Sequence, residues 1–226
     1  MILFISSVGF AEEKPQEDSL LNWLNSLSET SMVQTHWEKQ SRVMAAGSGL
    51  KLEITEQEAK EVFDKLASRF WIPFHYRPEG CYARAHRMAQ ILEQKKIYSQ
   101  KVFLEGFLVV DGIAWSWHVA PMVFVRTNTD ELESWVIDPS LFNGPVPFAE
   151  WRLRQTNQEC FHVSLRMFEK IIYSDSDGLN STCVYYRAER FAYKPTDTFN
   201  HPNKWLKKDQ KDMLKHMVIN RFRRKR

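Results

Sequence analysis

Cysteine is scarce in this 226-residue chain: only Cys81, Cys160 and Cys183 occur. Three thiols allow one bridge at most and leave one over. No pair has zinc-type spacing, and the seven histidines are scattered, without a His-x-His or His-Glu-x-x-His motif. That gives no basis for a structural or catalytic metal, and no cofactor is expected. Long apolar runs are also missing. None reaches the roughly 18–20 residues of a membrane span, so no integral membrane contact is expected. Internal repeats and long low-complexity tracts are absent as well. Acidic residues run short only at one end. Positions 204–226 hold ten Lys/Arg against two Asp/Glu, although the whole chain carries only +3. The basic excess therefore belongs to a tail and not to the domain, and no nucleic-acid partner is required. Such a tail suits a solvated helix or a contact with an anionic partner.

What is present suits one globular domain with appended segments, because 43% of the residues are hydrophobic and 13% aromatic. Residues 1–11 are mostly apolar and small, like the core of a secretory signal without its basic leading region. A secreted or periplasmic location is the expectation. Residues 12–50 form a polar and then helical extension, with a helix over Leu20–Met44 closed by Gly47-Ser48-Gly49. The main domain is expected over 51–200 and a basic helical tail over 201–226. Thr55 with Glu58 reads as a capping box, opening a helix to about Phe70 that buries Ala59, Val62, Phe63 and Leu66. Two prolines make Ile72–Pro78 an extended connection. A second helix runs from Cys81 to about Lys95, with Cys81, Ala85, Met88 and Leu92 along one side. Strands follow at Val102–Val110, Ile113–Val125 and Glu133–Ile137, the first two joined by an Asp111-Gly112 hairpin turn. Beyond Pro139 the chain reads as loops, with further strands near Phe161–Leu165 and Cys183–Ala188. Helices first and an antiparallel sheet after them make an α+β domain.

Three residues carry the chemistry. Cys81 heads a helix, where unpaired N–H groups and the positive end of the dipole favour an anion. His118 sits in a strand, sharing a face with the small or apolar residues Ala114, Ser116, Ala120 and Met122, the small ones leaving room for a helix N-terminus above it. Trp115, Trp117, Val119 and Val123 occupy the other face. Asp138 ends the next strand, placed to receive the ring N–H of His118. The order Cys81, His118, Asp138 supplies a thiol nucleophile, a base and an orienting carboxylate. Each also has a purely structural reading: a packed thiol, a buried histidine, a turn cap. If Cys81 is the thiol left over, Cys160 and Cys183 can pair; two separate buried thiols are equally compatible.

The segments Glu79–Met88 (EGCYARAHRM), Ala114–Ala120 (AWSWHVA) and Ile137–Phe142 (IDPSLF) closely resemble the bacterial protein-glutaminase family. Ile72–Tyr76, Gly144–Val146, Trp151-Arg152 and Val184–Arg187 extend the likeness, which covers about half the chain. The Gln155–Thr182 region matches poorly, and Leu20–Met44 and the tail lie outside it. The resemblance implies a transglutaminase-like (papain-like) core with the nucleophilic cysteine at a helix N-terminus. It implies a secreted hydrolase that deamidates glutamine side chains of proteins and peptides through a Cys-His-Asp triad, here Cys81, His118 and Asp138. It also raises the question whether Leu20–Met44 is an inhibitory pro-region. Tyr82, Trp115 and Trp117 are candidates for the slot holding the glutamine's methylene chain, and a monomer is expected. A transglutaminase using an amine acceptor, or a non-catalytic binding module of the same fold, are the competing expectations.

Overall fold

The computed structural model describes residues 30–75, 80–164 and 183–194, with 208, 211, 214, 215 and 218 from the tail. The leader, the first part of the extension and most of the basic tail lie outside the described residues. The extension contributes helix α1 (Thr30–Ser48), which ends before Gly49 at φ +65°. A short strand β1 (Glu53–Thr55) leads directly into helix α2 (Glu56–Ala67). The capping box forms as the spacing predicts, with Thr55 Oγ1 accepting from Glu58 N–H and the Glu58 carboxylate accepting from Thr55 N–H. The helix buries Ala59, Val62, Phe63 and Leu66 and stops at Ala67, three residues earlier than expected. The next segment is turned instead of extended: Ile72 N–H bonds to Arg69 O and Phe74 N–H to Ile72 O. Burial of Ile72 against the α2 core outweighs the extended preference of the following proline. Residues 76–79 are not described.

Helix α3 (Cys81–Gln94) buries the predicted stripe of Cys81, Ala85, Met88 and Leu92. Strands β2 (Gln100–Val110) and β3 (Ile113–Arg126) form the expected hairpin, and both turn residues take positive φ, 51° at Asp111 and 76° at Gly112. That is the turn in which Asp-Gly costs least. Strands β4 (Leu132–Val136), β5 (Val146–Pro147), β6 (Cys160–His162) and β7 (Cys183–Glu189) complete one sheet of order β5-β4-β3-β2-β7-β6, with β1 also paired to β3. The sheet is mostly antiparallel; β1–β3 and β6–β7 are parallel. Between β5 and β6 lies a short helix, α4 (Phe148–Leu153), where the sequence reading expected only loop.

The two sheet faces carry different layers. α2 and α3 cover the face bearing Val119, Val123 and Val125, together with Phe103 and Val184. The opposite face, with Val102, Leu104, Ala120 and Met122, is covered by α4 through Trp151, while α1 packs through Ala45 on Tyr98 and Phe124. The described part of the extension thus docks on the sheet face away from α3. Cys160 and Cys183 stand opposite each other in the β6–β7 register and are bridged across 23 residues of sequence. Such a closure removes unfolded-state freedom worth about 3 kcal/mol. Cys81 is the free thiol.

Candidate active site

The first residue of α3 is Cys81, preceded by Gly80 at the N-cap without any side-chain cap. A helix start of this kind gives its first backbone N–H groups no acceptor within the helix, and the positive end of the dipole there favours an anion beside the sulfur. Only 8% of Cys81 is exposed. It looks into a cavity of about 500 Å³ that His118 also lines.

His118 reaches that cavity because of how β3 is paired. Among the described residues, β4 pairs with Met122–Arg126 and not with the first part of β3. The successive residues Ala114, Trp115, Ser116, Trp117 and His118 of this first part all border the cavity. The expectation that a helix N-terminus lies over the small residues on His118's own face is therefore corrected. α3 covers the opposite face, and Cys81 and His118 both line the cavity. The tryptophans are corrected too. Trp115 packs with Leu108 and Leu104, whereas Trp117 stacks on Tyr82 at 6.5 Å on the α3 side. Between them a bulge sets Gly106 and Phe107 against Ser116 alone, and the added twist breaks the simple alternation. Gly106 takes φ 150°, a backbone that favours glycine. Trp115 and Trp117 line the cavity; Tyr82 stands behind Trp117.

Asp138 follows β4. The Ile137 N–H to Pro121 O bond carries the strand pairing one step further, bringing Asp138 opposite Ala120 and diagonal to His118 on one face. His118 Nε2–H donates to Asp138 Oδ2 at 2.7 Å. With Nε2 committed, Nδ1 is left for the sulfur, and Cys81 is among the groups that hold a proton on the ring. Burial by itself would depress the imidazole; the Asp138 charge, its hydrogen bond and then Cys81 outweigh it and raise the pKa to about 9. Asp138 is subject to the same opposition. Burial pushes its carboxyl up, but the His118 charge and bonds from His118, Ser140 and Trp151 bring it down to about 2. The ion pair is thus the resting form at neutral pH.

Trp151 is the member that sequence reasoning did not assign a role. Its indole N–H donates to the Oδ2 that also receives His118, at 2.9 Å, and its ring stacks on the imidazole at 5.6 Å between centroids. Ser140 N–H and Oγ–H fill the other carboxylate oxygen. The only signal was the Trp151-Arg152 pair inside the family resemblance, because α4 is too short for a periodicity to announce it. Trp151→Phe keeps a ring against His118 but removes the donor. A loss of about 2 kcal/mol in urea unfolding at neutral pH is expected, the worth of a buried hydrogen bond to a charged acceptor. Unchanged stability would mean that the carboxylate gains nothing from the indole.

A family model described as glutaminase matches residues 59–155, from α2 to just past α4. Among solved structures, a crystal structure of pro-protein-glutaminase is 25% identical with a TM-score of 0.54, covering 75% of this chain and 60% of its own. Its A47Q2 mutant is 27% identical, with a TM-score of 0.55 over the same shares. The NMR structure of protein-glutaminase from Chryseobacterium proteolyticum is 26% identical with a TM-score of 0.51, over 71% of this chain and 86% of that one. The chain spans about 60% of the length of the pro-protein-glutaminases it matches. No curated protein matches. The protein-glutaminase resemblance carried by the motifs is borne out, and with it the α+β, transglutaminase-like fold.

Proposed function

We propose that this chain is a protein-glutamine glutaminase, hydrolysing the side-chain carboxamide of protein-bound glutamine to glutamate and ammonia. The observation that carries the reading is a cavity bordered by both Cys81 and His118, with the buried Asp138 hydrogen-bonded to His118 behind it, in a chain similar to protein-glutaminases. The Cys81 sulfur attacks the carboxamide carbon as the thiolate, its proton already held on the His118 imidazolium, and the Cys81 backbone N–H at the start of α3 is one donor to the oxyanion that forms. His118 Nδ1–H protonates the departing nitrogen, which leaves as ammonia, and a γ-glutamyl thioester remains. Water then adds to the thioester while Nδ1 takes its proton; the thiolate leaves and glutamate is released. Asp138 holds the ring in the tautomer and orientation that both steps need, and Trp151 holds Asp138. All three triad residues come from one chain, so a monomer suffices. Each turnover adds a negative charge to the target, which alters its surface electrostatics. We also read the protein as secreted or periplasmic, and the Cys160–Cys183 bridge supports an oxidising compartment.

The test is mass spectrometry of a glutamine-rich protein after incubation, with ammonia measured in parallel. A gain of about one dalton per modified glutamine, matched by ammonia, is expected from the γ-amide hydrolysis. With a primary amine added, hydrolysis should still dominate. Amine incorporated at a comparable rate would make the chain a transglutaminase, and neither product would leave a binding module.

A further inference from the structure

Phe107, Val109 and Leu153 are 43%, 39% and 53% exposed. Each alone is ordinary; together, from β2 and the end of α4, they line one shallow groove of about 550 Å³. The bulge creates the first part of it. After the extra residue at Gly106–Phe107, Leu108 turns into the core while Phe107 and Val109 turn out. The groove adjoins the candidate catalytic cavity, since Arg154 and Gln155 border both. Val109 N–H fixes this boundary by donating to Gln155 O at 2.7 Å. Arg154 is held by Asp111 at 2.6 Å, so the ridge between cavity and groove is an ion pair and not a free cation.

We propose that this groove receives an apolar side chain flanking the target glutamine in the substrate polypeptide. The inference rests on the deamidation reading and adds a specificity subsite to it. A polypeptide whose glutamine enters the cavity must carry its neighbouring residues across the rim. The rim at Arg154 and Gln155 leads onto three exposed apolar side chains. With the Arg154 charge already compensated, the apolar surface decides the preference, and an aliphatic or aromatic neighbour gains most from covering it.

The experiment uses blocked peptides with one glutamine among alanines, and with leucine scanned through the positions on either side. Ammonia release is measured for the wild-type chain and for Leu153→Ser and Phe107→Ser, two exposed positions on different elements outside the catalytic set. One leucine position should raise wild-type kcat/KM by about tenfold, in line with a small apolar pocket. Both variants should lose that preference while turning over the all-alanine peptide at the wild-type rate within about twofold. Ammonia release by wild type with no leucine preference, or a preference that both variants keep, overturns the subsite and leaves the deamidase reading standing. No ammonia from any peptide or protein overturns both.

Discussion

Cys81→Ala is expected to lower ammonia release from a glutamine-bearing protein by about four orders of magnitude or more, since removing a nucleophile leaves only binding and oxyanion contributions. The substitution should barely touch the fold. The thiol is a small buried group in the cluster with Phe103, Val119 and Val184, and its truncation costs about 1 kcal/mol or less. Cys81→Ser is expected to be almost as inactive, because a hydroxyl in the same place is a far poorer nucleophile towards an amide. Alkylation gives an independent check. Among the described residues Cys81 is the one thiol outside a disulfide, so one equivalent of a thiol reagent should abolish wild-type activity. Ammonia release by the alanine variant at the wild-type rate would remove Cys81 from the mechanism.

Whatever is written in neighbouring residues was legible before the structure. Thr55 and Glu58 are three apart and satisfy each other, and Asp111-Gly112 takes the one backbone shape that joins two twisted strands tightly. The apolar stripe from Cys81 to Leu92 fixed which side of α3 is buried. The features that escaped depend on what meets across the sheet. Alternation along β3 predicts one face for Trp115 and Trp117, but the bulge at Gly106–Phe107 lies on the partner strand and leaves no mark in β3 itself. The approach of Asp138 to His118 depends on β4 running out just past Met122, with the Ile137 N–H to Pro121 O bond as its last step, a property of the pairing and not of any motif. Trp151 likewise gains its place from long-range packing, thirteen residues beyond the carboxylate it serves. The bridge between Cys160 and Cys183 follows from the parallel register of β6 and β7, which the cysteine count left open.

Asp138→Asn should produce the second large loss, at least about a hundredfold in kcat/KM near pH 8, with a changed pH profile as its signature. In the wild type, the imidazolium that protonates the departing amide nitrogen persists until pH passes about 9, so kcat/KM should fall only above that point. Asparagine removes both the charge and the charge-assisted bond. Burial, the largest influence on the ring, then acts with less opposition, and the alkaline limb should move well towards neutrality. The amide also offers the wrong partner. Oδ2 serves His118 and Trp151 together, and both donate to it. An NH2 turned towards His118 would draw the neutral ring into the tautomer protonated at Nδ1, facing the sulfur whose proton it must accept. An NH2 turned away still leaves a side chain without the charge that favours the imidazolium. Stability should drop by about 3 kcal/mol, as expected when a buried pair loses one charge. Its pH dependence has a definite sign. His118 is raised above its ordinary value, so its contribution is fully present below about pH 6.5 and lost as pH climbs through about 9. Asp138 is depressed, so its contribution is present above its ordinary value of 3.8 and lost as pH drops through about 2. The difference between wild type and variant should therefore be widest between about pH 4 and 6.5 and shrink in alkali. An alkaline limb that stays near pH 9 in the asparagine variant would mean that the carboxylate is not what keeps the proton on His118.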